Sequence, residues 1–180
     1  TVNISSPNTP GLRALQDKGA LDDLLVRVRA AAPEGPPLFL KVAPDLEPAD
    51  IDDIAAIAIE RKLDALIVSN TTITRPTLQS RYAGEGGGLS GAPLRDLAHQ
   101  RLIDFWKATG GKVRLIGVGG IASAEDAYSR IRAGASLVQI YSALVYEGPF
   151  LAQKIALGLE TLLERDGFAS ITEAIGIDVE

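Results

Sequence analysis

The chain has 180 residues, 46% of them hydrophobic, which is enough for one domain with a sizeable core. Its net charge of −5, with acids and bases interspersed, argues against a nucleic-acid-binding surface, which would need a basic patch. The sequence has no cysteine and a single histidine, so it excludes thiolate nucleophiles and cysteine-held clusters and argues against a metal site.

Five short apolar runs recur along the chain, and small or polar residues follow each of them. Near-continuous apolar character is typical of strands buried on both faces, as in a parallel sheet. The predicted strands are TVNI (1–4), PLFLKVAP (37–44), LDALIVSN (63–70), VRLIGVGG (113–120) and SLVQIYSA (136–143).

Helical patterns fill the intervals between these runs. Pro48 suits the first turn of a helix, and Ser123 suits a helix cap. The predicted helices span 19–32, 48–61, 94–108, 123–133 and 149–165. The alternation of strands and helices predicts a single α/β domain over 1–180 with parallel strands.

The stretch 71–93 is the one long irregular segment, and it is rich in glycine. Loops of this length in compact domains are usually functional or disordered. We expect the stretch to cover or border a site, and a disordered surface loop is the alternative for its first half.

Hydrogen-bonding side chains or bare backbone follow the carboxyl end of every predicted strand. In a (β/α)8 barrel, all these ends open on one face, which holds the active site. In a doubly wound sheet they would instead line a crevice where the strand order reverses. The sequence alone leaves both arrangements open.

The last two units indicate an anion site. GVGG precedes one helix, and QIYS follows one unit later, which resembles the phosphate site after the seventh and eighth strands of a barrel. Glycine lets backbone N–H groups approach a phosphate closely, although a tight turn without a ligand is the alternative. If the strands that end in GVGG and QIYS are the seventh and eighth of a barrel, TVNI is the fourth.

The chain also has no methionine at position 1, so we expect it to be a piece of a longer protein.

Six motifs in this order resemble the C-terminal part of class 2, quinone-dependent dihydroorotate dehydrogenase. They are NISSPNTPGLR, KVAPDL, SNTT, GGLSGAPL, IGVGGI and AGASLVQIYSAL, and the resemblance runs from Thr1 to about Gly176. It implies a TIM barrel, that is an FMN-containing (β/α)8 barrel, of which only the C-terminal five βα units are present. It also implies oxidation of dihydroorotate to orotate in pyrimidine (UMP) biosynthesis.

The resemblance further assigns roles to individual residues. It implies Ser6 as the catalytic base, where class 1 relatives have a cysteine. Substrate contacts are implied for Asn3, Asn8, Asn70 and Thr71. FMN contacts are implied for Asn3, Lys41, Ser69, Gly91, Gly120, Tyr141 and Ser142.

The chemistry of the substrate suits these residue types. A ring with N–H and C=O groups needs partners that donate and accept without charge, and asparagine does both. Turn formation is the alternative for the asparagines, and for Ser6 it is a turn or cap hydroxyl. Lys41 could offset negative charge on a reduced flavin, or could be a lysine reaching out from a strand end.

The resemblance also implies partners and a location for the parent protein. An N-terminal helical segment, which we expect to be missing here, would meet the membrane and receive quinone. This implies peripheral attachment to the cytoplasmic side of a bacterial inner membrane, or to the mitochondrial inner membrane in a eukaryote. The alternatives are a related FMN barrel acting on another dihydropyrimidine, or an inactive half-barrel fragment that needs a partner.

Overall fold

A computed structural model describes residues 1–179 and contains one sheet of five parallel strands. The strands lie side by side in chain order, so each pairs with the next one along the sequence. A doubly wound sheet would reverse this order, and residues 1–179 contain no such reversal, so the barrel-type arrangement that the resemblance implies is confirmed. The strands are β1 (Val2–Asn3), β2 (Phe39–Val42), β3 (Ala65–Val68), β4 (Arg114–Val118) and β5 (Ala135–Gln139).

Helices connect the strands, as the sequence predicts. They are α1 (Lys18–Ala31), α2 (Pro48–Glu60), α3 (Arg95–Thr109), α4 (Ala124–Arg132), α5 (Ser142–Glu147) and α6 (Leu151–Asp166), with short 3-10 helices at Leu12–Gln16, Ala92–Leu94 and Ile171–Ala174. The predicted cap at Ser123 is confirmed, because its side chain accepts a hydrogen bond from the Asp126 N–H. Asp17 caps α1 in the same way through Gly19 and Ala20.

The main core lies between the helices and one face of the sheet. Strand residues such as Leu40, Leu66 and Leu115 are fully buried there, together with Leu102 and Phe105 of α3. The side chains on the opposite face of the same strands form a smaller apolar cluster, which contains Phe39, Ala65, Ile67, Ile116 and Val118. The sheet is therefore apolar on both faces, which explains the near-continuous hydrophobic runs of the sequence.

Because all strands are parallel, their carboxyl ends lie along one edge of the sheet. The segments that follow them, including the stretch 71–93, gather at this edge and form the site described below. Within residues 1–179, none of the helices has the length and apolar character needed to cross a membrane.

Candidate active site

A pocket of about 320 Å³ opens at the carboxyl ends of β2 to β5. Eight of the predicted site residues line it: Lys41, Ser69, Asn70, Thr71, Gly91, Gly120, Tyr141 and Ser142. Three others do not line it. Asn3, the last residue of β1, contacts the lining residue Asn70, and Ser6 and Asn8 lie in the segment that follows β1. Because the predicted residues follow the carboxyl ends of parallel strands, the fold brings them into one region of the molecule.

An amide network joins the end of β1 and the residues just after it to the segment after β3. Asn70 Nδ2 donates to Asn3 Oδ1 and to Ser5 Oγ, each at 3.1 Å. Asn70 Oδ1 accepts from the Thr71 N–H at 2.8 Å, which fixes the orientation of the amide. In the part of the chain that the structure describes, Asn3 Nδ2 donates to no protein group, so it is available to a ligand acceptor.

The two serines of this segment have different environments. Ser5 is fully buried, and its hydroxyl donates to the Lys41 carbonyl at 2.7 Å, which ties β1 to β2. Ser6 is partly exposed, and its Oγ accepts from the Asn8 N–H at 3.3 Å, as in a serine turn. Sequence reasoning missed Ser5, because alternation along a two-residue strand does not indicate which serine points inward.

The long loop closes onto the segment after β1. Asn8 Oδ1 accepts from the Gly88 N–H at 3.1 Å, and a side chain at Gly88 would collide with Thr71. The Arg75 guanidinium closes the loop on itself by donating to the Glu85 and Gly87 carbonyls at 3.0 and 2.6 Å. The predicted border of the site is thus a loop held at both ends.

Lys41 places a positive charge in the pocket. It pairs in register with Asn3 on one side and Ile67 on the other, and it is partly buried. Burial lowers the pKa of Lys41, because the charged form loses hydration. Among residues 1–179, no carboxylate lies within ion-pairing distance of its ammonium group. The lysine is therefore poised to meet an anionic or electron-rich ligand.

Arg13 connects three strand-end segments, and sequence reasoning missed this role. Its guanidinium donates to the Ser5 carbonyl at 3.1 Å, the Thr71 carbonyl at 3.0 Å and Asp45 Oδ2 at 2.9 Å. Asp45 in turn accepts from the Thr72 hydroxyl and from the Ile73 N–H. The only available signal was the arginine that ends NISSPNTPGLR.

Glycines form the opposite side of the pocket. Gly119 and Gly120 have φ values of 118° and 72°, which favour glycine. A Cβ on Gly120 would lie 2.6 Å from Arg95 Cα, so the backbones approach too closely for any side chain. Across the pocket, the Ser90 and Ser142 hydroxyls lie 2.9 Å apart.

Parallel βα units with amides, a lysine and a glycine cradle at one end define a barrel-type ligand-binding domain. The donors suit a ligand that combines a polar planar ring with an anionic group. The chain belongs to the dihydroorotate dehydrogenase family, whose family model matches residues 1–163.

Curated relatives are similar in sequence to this chain over almost its whole length. It is 68% identical over 178 residues to a protein named dihydroorotate dehydrogenase (quinone) from Sphingopyxis alaskensis, covering 98% of this chain and 50% of that protein. It is 51% identical over 186 residues to the mitochondrial protein of that name from Oryza sativa subsp. japonica, covering 98% of this chain and 40% of that protein. The chain thus spans about half the length, or less, of these curated relatives.

A solved structure has the same fold. The crystal structure of ligand-free DHODH from Eimeria tenella superimposes with a TM-score of 0.95 at 40% identity, over 99% of this chain and 55% of that one. The five units described here therefore form part of a barrel. Membership of the family implies a flavin cofactor in general.

Proposed function

We propose that the protein carrying this chain oxidises dihydroorotate to orotate in de novo pyrimidine biosynthesis, with FMN as hydride acceptor and quinone as final electron acceptor. Residues 1–180 supply the C-terminal part of its single FMN-binding barrel domain. The observation that carries the proposal is the Asn3–Asn70 amide pair beside Lys41, at the mouth of a pocket whose far side is a glycine cradle. The names of its relatives support the substrate and the quinone.

FMN suits the donors that face the pocket. Gly91, Gly120, Tyr141 and Ser142 would form its cradle, the last three of them near the phosphate, while Asn3, Lys41 and Ser69 would contact the flavin. In the described residues, the N–H groups of Gly120 and Tyr141 donate to no protein acceptor, as a phosphate cradle requires. When bound, FMN supplies the hydride acceptor for the reaction.

The substrate ring would bind to uncharged groups. Asn3, Asn8, Asn70 and Thr71 offer amides and a hydroxyl, which pair with ring N–H and C=O groups and orient the ring. Because Asn70 is already held by Thr71 and Ser5, little ordering remains to be done when the substrate binds. Such a site rejects analogues that leave its polar groups unpaired.

Ser6 would accept the proton that leaves the substrate carbon. A serine hydroxyl is a poor base at neutral pH, so it must pass its own proton to water or to a neighbouring hydroxyl, with Thr9 or Thr71 as candidates. The Asn8 N–H donates to Ser6 Oγ, which leaves the hydroxyl hydrogen free to be passed on and stabilises the oxygen as it gains charge.

Lys41 would offset negative charge that develops on the ring beside it. Its partly buried ammonium acts more strongly there than it would in water, since the local dielectric constant is lower. Electrons would leave for quinone at a membrane, which implies peripheral attachment to the cytoplasmic side of a bacterial inner membrane or to the mitochondrial inner membrane.

The proposal is tested by mixing the intact protein with dihydroorotate under anaerobic conditions and following the visible flavin band. We expect the band to bleach with dihydroorotate, and orotate to compete with this reaction. Ser6→Ala should slow bleaching at least about a hundredfold, the usual scale for a general base, while leaving flavin binding intact. Bleaching by dihydrouracil but not by dihydroorotate would overturn the substrate, and an unaltered rate in Ser6→Ala would overturn the base.

A further inference from the structure

A buried arginine lies directly behind the glycine cradle. Arg130 of α4 is 2% exposed, and its Nη2 donates to the Gly119 carbonyl at 2.9 Å and to the Arg95 carbonyl at 2.6 Å. Within residues 1–179, no carboxylate comes within ion-pairing distance of its guanidinium, and its Nε has no partner. Burial lowers the pKa of Arg130 to about 10. The side chain is therefore a buried positive charge without direct compensation.

A second arginine holds the next carbonyl. Arg95, at the start of α3, donates from Nε to the Gly120 carbonyl at 3.0 Å. The same Nε lies 3.1 Å from Asp126 Oδ1, so the charge of Arg95 is paired while that of Arg130 is not. The two adjacent glycine carbonyls are thus each fixed by a different helix.

Fixing these carbonyls fixes the donors of the cradle. In a planar trans peptide, the carbonyl oxygen and the following N–H point in opposite directions. Because Arg130 draws the Gly119 oxygen backwards, the Gly120 N–H points forwards, and Arg95 has the same effect on the Ile121 N–H. Gly120 and Ile121 both line the pocket, and among the described residues neither N–H has a protein acceptor.

We propose that Arg130 and Arg95 are positioning residues of an anion site, which aim the Gly120 and Ile121 N–H groups at a phosphate-class group in the pocket. The unpaired charge of Arg130 adds attraction for that anion through the thin glycine backbone, where Gly117 leaves room for the arginine stem. This inference rests on the proposed function, in which the anion is the phosphate of FMN.

The test compares FMN with riboflavin, which has the same ring and no phosphate. Dissociation constants of both are measured by flavin fluorescence quenching in the intact apoprotein, for wild type, Arg130→Met and Arg101→Met. Arg101 is a matched control on α3, because it also donates to a backbone carbonyl, that of Leu46, at 3.0 Å, yet it lies outside the pocket. We expect Arg130→Met to reduce the preference for FMN over riboflavin by about tenfold and Arg101→Met to leave it unchanged.

The ratio of the dissociation constants for riboflavin and FMN distinguishes a positioning role of Arg130 from a general loss of structure. Equal weakening of FMN and riboflavin by Arg130→Met, or an unchanged ratio, would overturn the inference. If Arg130→Met does not fold, the more exposed Arg95→Met is judged by the same ratio. A wild-type protein with no preference for FMN would overturn the proposed cofactor itself, so the two failures are distinguishable.

Discussion

Replacing Arg13 with methionine would remove the side chain that joins the segments after β1, β2 and β3. Two of its three contacts are hydrogen bonds to carbonyls, and the third is an ion pair with Asp45, whose side chain is only 10% exposed. Hydrogen bonds from charged groups are each worth about 1.5–3 kcal/mol, but contributions within one network are not additive. Since Arg13 is 22% exposed and Asp45 keeps its Thr72 and Ile73 donors, we expect a loss of about 2–4 kcal/mol.

The assay is urea unfolding of the intact flavin-free protein, together with the KM for dihydroorotate. Arg27→Met is the matched control, because Arg27 is 78% exposed and lies 3.7 Å from Asp23 on the surface of α1. An exposed pair of this kind contributes about 0.5 kcal/mol or less. We also expect Arg13→Met to raise the KM, because the segments it joins carry Ser6 and Thr71.

Two results would refute this reasoning. If Arg13→Met lost no more stability than Arg27→Met, the three contacts would not hold the segments together. If it lost stability and kept the wild-type KM, the groups proposed to bind the substrate would be positioned independently of Arg13.

Two further predictions concern charge. Because burial lowers the pKa of Lys41, its charged form costs stability below the folded pKa, and this cost disappears as the pH rises to the unfolded value of 10.5. Lys41→Met should therefore have a higher urea midpoint than the wild-type apoprotein at pH 7, and the difference between the two midpoints should disappear towards pH 10.5. The same substitution should slow flavin reduction about tenfold or more. Identical urea midpoints at every pH would contradict the stability prediction. Hydrogen bonds from Arg165 and Tyr128 lower the pKa of Asp166 from 3.8 to about 2, so its stabilisation is present above pH 3.8 and is lost as the pH falls towards 2. Asp166→Asn should accordingly have a lower urea midpoint than wild type at pH 6 and converge with it near pH 2, and curves that stay parallel would rule out this contribution.

The βα alternation could be predicted from the sequence because strands buried on both faces of a parallel sheet consist of nearly continuous runs of apolar residues. The sequence did not predict the lengths of the strands, since hydrophobicity continues beyond the last ladder pair, and β1 is only two residues long. It predicted a strand over 136–143 and the next helix only from 149, whereas the structure contains α5 between them. That helix buries no residue, and Val145 and Tyr146 are 80% and 84% exposed, so it has no amphipathic pattern to detect.

For the site, the rule that function gathers at strand ends found residues that touch the pocket. It could not find residues that act through others. The acceptors of Arg13 lie 8, 32 and 58 positions away along the chain, and Arg130 reaches Gly119 from the following helix. Nothing local in the sequence distinguishes such an arginine from one on the surface, because only the folded chain places its acceptors.

The two sides of the pocket have different chemistry, and this difference follows from the ligand each side would meet. On the side of β1 to β3, Asn3, Ser5 and Asn70 are locked by their own hydrogen bonds, which suits a planar ring whose edges must be read in one orientation. On the side of β4 and β5, the backbone N–H groups of Gly120, Ile121 and Tyr141 have no protein acceptor among the described residues, which suits a phosphate that accepts donors from many directions. The first side depends on side-chain identity, so a single substitution removes a specific contact. The second depends on the path of the main chain, so there the residues that matter are the glycines that permit the path and the arginines behind them.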